Sequence, residues 1–167
     1  MPTISSGAFV VLAAGVLAAT VIDLRTRRIP NGLTAAMTGI GIALAATGVS
    51  GISVGGSFLG FALGLALMLP GYRFGATGAG DVKLMAAVGA IVGPALVVTA
   101  FICTAIAGGV LAVVVAMRRR RLAETLTGTG RLIGGDGRQQ IQTAGASSRF
   151  AYGPAIAAGS VIAALIG

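Results

Sequence analysis

The chain has 167 residues, of which 56% are apolar and only 10% charged, and its mean hydropathy is +0.97, against about 25% charged residues in an ordinary soluble domain. That balance excludes a soluble globular protein and predicts an integral membrane protein, an all-α helical bundle forming a single domain over residues 1–167. Twelve Lys and Arg against four Asp and Glu leave a net charge of +8, but the basic residues flank apolar runs and are not interleaved with aromatics, which argues against a nucleic-acid surface.

The first apolar run covers about Ser6 to Asp23, roughly 27 Å of helix and enough to span a bilayer. No Lys or Arg precedes it, so it reads as a retained helix with its N-terminus outside rather than a cleaved signal. Pro30 stops the segment Arg25 to Pro30 from continuing as helix, and Asn31 is placed to cap the next one. A second run, about Gly32 to Gly48, and a third, about Ile52 to Pro70, are joined by three residues and predict an antiparallel pair. Gly39, Gly41, Gly60 and Gly64 would let helix backbones approach closely within the bilayer.

After Gly71 comes a glycine-rich break, Gly75-Ala76-Thr77-Gly78-Ala79-Gly80-Asp81, followed by a short run from Val82 to Gly93. Gly93-Pro94 admits two topologies. A turn there gives six crossings and puts all twelve basic residues on one side; a kink gives one long helix and divides them five against seven. The positive-inside rule favours six crossings with both termini outside. The fifth run, Ala95 to Met117, ends on Arg118 to Arg121, which serve orientation and anionic headgroups. The basic and polar stretch 118–149, with Glu124 and Asp136, reads as a cytoplasmic loop, and Tyr152-Gly153-Pro154 opens the last run with a headgroup-level aromatic.

Two acids remain at run ends. Asp23 closes the first run and Asp81 opens the fourth, so this topology puts both on one membrane face, meeting through packing of the first helix on the fourth. Paired carboxylates at a water-accessible edge are the arrangement of an aspartic protease. Taken singly, Asp81 could be a helix N-cap and Asp23 the partner of Arg27 four residues on. Gly80 would let backbone come close to the site, and Lys83 could snorkel to headgroups. A non-enzymatic transporter or scaffold, with the acids as proton relay or caps, is the competing class. The one cysteine, Cys103, lies within an apolar run, and a Cys-x-x-Cys zinc site cannot be built from it.

Asp23-Leu24-Arg25-Thr26-Arg27-Arg28-Ile29-Pro30-Asn31 resembles the first signature of type IV prepilin peptidases, and Gly78-Ala79-Gly80-Asp81-Val82-Lys83-Leu84 their Gly-x-Gly-Asp motif. Tyr152 to Gly159 is similar to the family's last helix. The resemblance implies that Asp23 and Asp81 are the catalytic pair, with Gly78, Gly80, Lys83, Pro30 and Asn31 shaping the site or binding substrate. It further implies a prepilin substrate, cut after a glycine between a short basic leader and a hydrophobic helix, at the cytoplasmic face of the cell membrane. Larger members carry two Cys-x-x-Cys pairs and also methylate the new N-terminus. This chain resembles the short form associated with tight-adherence (Flp-type) pili, so proteolysis with no metal, no cofactor and no methyl transfer is expected. The substrate helix is expected to dock on the glycine-rich second and third helices, among membrane lipids.

Overall fold

The computed structural model describes residues 4–118 and 152–166, and among the described residues every secondary-structure element is a helix, with no strands. The elements are α1 (Ser6–Thr26), α2 (Asn31–Ala46), α3 (Val54–Arg73), α4 (Ala79–Arg118) and α5 (Gly153–Ile166). Three stretches, Ser6–Thr26, Val54–Arg73 and Ala79–Leu111, are long and apolar enough to cross a membrane, and α2 and α5 are shorter apolar helices. Arg119 to Arg121, Glu124, Asp136 and the rest of the expected loop lie outside the described residues.

Helix starts follow local chemistry. Ser5 caps α1 by accepting from the Ala8 N–H at 3.3 Å, and Ser53 caps α3 by accepting from Gly56 at 3.0 Å, each satisfying an amide the helix leaves unpaired. Asn31 departs from expectation: it is the first residue of α2, behind Pro30 at the cap position, where no side chain caps the helix. The fourth helix begins at Ala79, three residues before the apolar run, which draws Asp81 into its first turn.

The long α4 is two arms, 79–92 and 94–118, joined at Gly93 with φ 81° and ψ 179°. Only glycine adopts that backbone without strain. The helix breaks there. A β-carbon at Gly89 would sit 3.1 Å from Cγ2 of Val97, and Gly93 abuts Ile52 of the α2–α3 turn. Pro94 cannot donate to the carbonyl of Ala90, four residues back. The Ser57 hydroxyl of α3 donates to that oxygen instead, at 2.6 Å and fully buried. Gly93-Pro94 is thus a break between two helical arms.

Both α2 and α3 pack on the first arm of α4 more than on each other. They do run antiparallel: α2 follows the arm, with Asn31 at Lys83 and Gly41 at Ala90, while α3 opposes it, with Gly60 at Gly89 and Gly64 at Met85. Gly60 and Gly89 lie backbone to backbone, each meeting the other's carbonyl, so a side chain on either would separate the helices. Gly41, Gly60 and Gly64 are therefore consumed by contacts with α4, and only Gly39 of the expected set faces open space. Those three glycines are therefore not free to receive a substrate helix.

The second arm packs on α5, with Thr104 at Gly159 and Gly108 at Tyr152. α1 lies chiefly on α5 and only lightly on α4, so the expected packing of the first helix on the fourth gives way to α5 wedged beside both. Its buried stripe is Ala8, Leu12, Val16, Ala19 and Asp23, the three-and-four spacing of one helix face.

Candidate active site

These registers gather the C-termini of α1 and α3 with the N-termini of α2, α4 and α5 at one end of the bundle. A cleft of about 450 Å³ opens there, lined by Asp23, Arg27, Arg28, Ile29, Asn31, Tyr72, Ala79, Gly80, Asp81 and Lys83. Asp23 is 5% exposed and Asp81 7% exposed. Two nearly buried carboxylates on one cleft wall are expensive to keep and need specific partners.

Asp81 finds its partner within its own turn. Gly78 precedes α4, and its N–H donates to Oδ2 of Asp81 at 2.9 Å while its carbonyl accepts from the amides of Asp81 and Val82. This is the reach-back of an acidic third residue to the cap position, and the positive helix end favours the carboxylate there. The capping role that Asp81 could play alone is thus performed by one oxygen of the carboxylate.

Asp23 finds its partner across the fold. It occupies the position where the buried stripe of α1 would place its next apolar side chain, and Oδ2 accepts from the Gly153 N–H of α5 at 3.1 Å. Arg27 contributes differently from the ion pair its spacing allows. It ends α1 in the left-handed region, with φ 52°, and its N–H donates to the Asp23 carbonyl at 2.8 Å. This unusual backbone for a non-glycine residue turns the chain at Arg28 and Ile29 toward α4. The Thr26 hydroxyl, 2.9 Å from the carbonyls of Ile22 and Arg28, steadies the turn.

Gly80 receives that connection. A β-carbon on it would stand 3.1 Å from Cβ and 3.4 Å from N of Ile29, so a side chain there would push the α1–α2 link, and Asp23 with it, away from Asp81. Lys83 Nζ donates to Oδ1 of Asn31 at 2.9 Å, tying the start of α2 to α4 on the exposed side. Asp23, Asp81, Gly80, Lys83 and Asn31 are therefore brought together at the cleft, Gly78 holds Asp81 from behind, and Pro30 stands outside the cleft lining as the cap residue of α2.

Residues 10–113 match the Type IV leader peptidase family. The chain belongs to that family. No curated protein and no solved structure matches it. Membership makes the protein a peptidase, and with three helices long and apolar enough to cross a bilayer this leader peptidase is a membrane protein. The match stops before α5, which lies beyond residue 113.

Sequence reasoning missed what α5 brings to the cleft. Tyr152 and Gly153 stand beside the acids, where the sequence suggested a membrane-interface aromatic and a likeness to the family's last helix but no part in the site. Burial, and after it the charge of Asp81, push the Tyr152 phenol above its usual range, so it remains a neutral hydroxyl. A signal was present in Gly153-Pro154: a glycine just before a first-turn proline offers an amide with no side chain in the way.

Proposed function

We propose that Asp23 and Asp81 form a catalytic dyad that removes the leader of type IV or Flp-type prepilins, at the cytoplasmic face of the cell membrane. The observation that carries the reading is their convergence, from two different helices within the family match, on one cleft where each carboxylate has one oxygen held by a glycine N–H. The ionised carboxylate takes a proton from water, whose oxygen bonds to the scissile carbonyl carbon. The protonated carboxylate delivers its proton to the carbonyl oxygen. Collapse of the tetrahedral intermediate breaks the C–N bond as one of its hydroxyls returns a proton to the ionised carboxylate, and the leaving amine takes up the proton of the other carboxyl group.

The topology proposed with it has six crossings, the two arms of α4 counting separately. The first arm is then a short crossing of about 21 Å, and the acids share a side with the basic residues. Arg27, Arg28 and Lys83 ring the mouth of the cleft.

The test is cleavage of a prepilin in membranes by the parent, Asp23→Asn and Asp81→Asn proteins, each checked for expression and fold. Each variant should lose at least about 100-fold in rate, the low end for a positioned acid or base. A folded variant that cuts at the parent rate would remove its aspartate from the dyad.

A further inference from the structure

The two carboxylates are held alike although their surroundings in sequence differ. Gly78 gives its N–H to Oδ2 of Asp81, and Gly153 gives its N–H to Oδ2 of Asp23. The first bond is local and belongs to the Gly-x-Gly-Asp stretch. The second spans 130 positions, is buried, and comes from a helix outside the matched region. The fit around Gly153 is close: a β-carbon there would lie 2.8 Å from Oδ2, 3.1 Å from Cβ and 3.3 Å from Cγ of Asp23. Any side chain at 153 must displace the carboxylate or move α5.

α5 is poorly free to move. Tyr152 presses its phenol on Gly108, whose β-carbon would stand 2.5 Å from the hydroxyl oxygen, and Gly159 lies against the backbone of Thr104. Ala155 and Ile156 donate to the Tyr152 carbonyl at 3.0 and 3.1 Å, closing the first turn with the Gly153 N–H aimed outward at α1. The segment is thus fixed to the second arm of α4 while its free amide meets Asp23.

We propose that Gly153 is a positioning residue: its N–H and its missing side chain fix which Asp23 oxygen faces the cleft, making the start of α5 a third part of the active site. The inference rests on the aspartyl reading above. It assigns α5 a role in turnover rather than in substrate binding, because Gly153 is buried behind Asp23 and is not part of the cleft lining.

The experiment uses the full chain in proteoliposomes and a synthetic peptide comprising a short basic leader, a glycine and a hydrophobic segment, with kcat and KM measured separately. Gly153→Ala should lower kcat about 100-fold, the scale of a small misplacement of a reacting group, with KM unchanged. Replacement of residue 153 by glycolic acid removes the N–H and adds no bulk. It should lower kcat about tenfold, the worth of one charge-assisted hydrogen bond, and it decides the matter if Gly153→Ala fails to fold. Ser57→Ala is the comparator. It removes a buried hydrogen bond between α3 and α4, away from α5 and the cleft, and should lower the thermal midpoint, while folded molecules keep the parent kcat. A folded Gly153 variant with parent kcat overturns the proposal, as does an equal loss of kcat in folded Ser57→Ala. Asp23→Asn separates the two readings: if it cuts at the parent rate the dyad itself fails, and if it is inactive while the Gly153 variants turn over normally, only the positioning role falls.

Discussion

The two ends of the bundle are built from the same small residues to opposite purposes. At the far end the chain turns at Gly93 against Ile52, Val49 closes on Gly7, and Gly60 and Gly89 meet backbone to backbone just inside. At the near end Gly78 and Gly153 give amides to two carboxylates, Gly80 makes room for Ile29 and Gly108 for Tyr152, beside an open cleft. Glycine in the first region removes distance between helices; in the second it frees an amide or makes space for a neighbouring chain. The lesson is that the closed end sets the helix positions, and the open end uses them.

The closed end should be the more sensitive to bulk. Gly60→Val forces a side chain into the Gly89 carbonyl, a fixed backbone group that cannot rotate away. We expect a loss of about 3 kcal/mol or more, read as a collapsed thermal midpoint or no folded peak in detergent. A parent-like midpoint would show that the seam is looser than its geometry and would end the contrast between the ends.

Ser57→Ala is a finer probe of the same end. It leaves the Ala90 carbonyl without the donor that replaces the missing Pro94 amide, at a cost of about 1–3 kcal/mol. Unfolding by denaturing detergent should show that loss, with folded molecules cutting at the parent rate. An unchanged stability would mean that the carbonyl finds another donor.

At the open end the order of effects should invert, with activity moving more than stability. Lys83→Met removes the exposed bond to Asn31. Stability should stay within about 0.5 kcal/mol, while cleavage slows several-fold as the start of α2 loosens beside the cleft. An unchanged rate would assign Lys83 to the membrane surface, the snorkelling role its sequence also allows.

Much of this was legible in advance where the signal is local. Apolar length gave the helices, Pro30 and the glycines marked breaks, and the Gly78–Asp81 stretch carried its own hydrogen bond because donor and acceptor lie three residues apart. The Gly93-Pro94 break was also visible, and the structure has non-helical backbone at Gly93. Asp23 was legible as an acid at the end of an apolar run, and its place on the buried stripe of α1 follows from spacing alone.

What the sequence by itself determined, then, is an apolar helical peptidase of the type IV leader family with two acids at run ends. Each of those features is written in composition, periodicity or a contiguous motif. Only the tertiary structure decided that α1 leans on α5 rather than α4, that α4 covers the glycine face of α3, and that the Asp23 carboxylate is held by Gly153. The physical reason is that helix partners in an apolar bundle are chosen by shape. Small residues permit many close approaches, and which one is taken depends on side chains and carbonyls that meet only after the chain has folded.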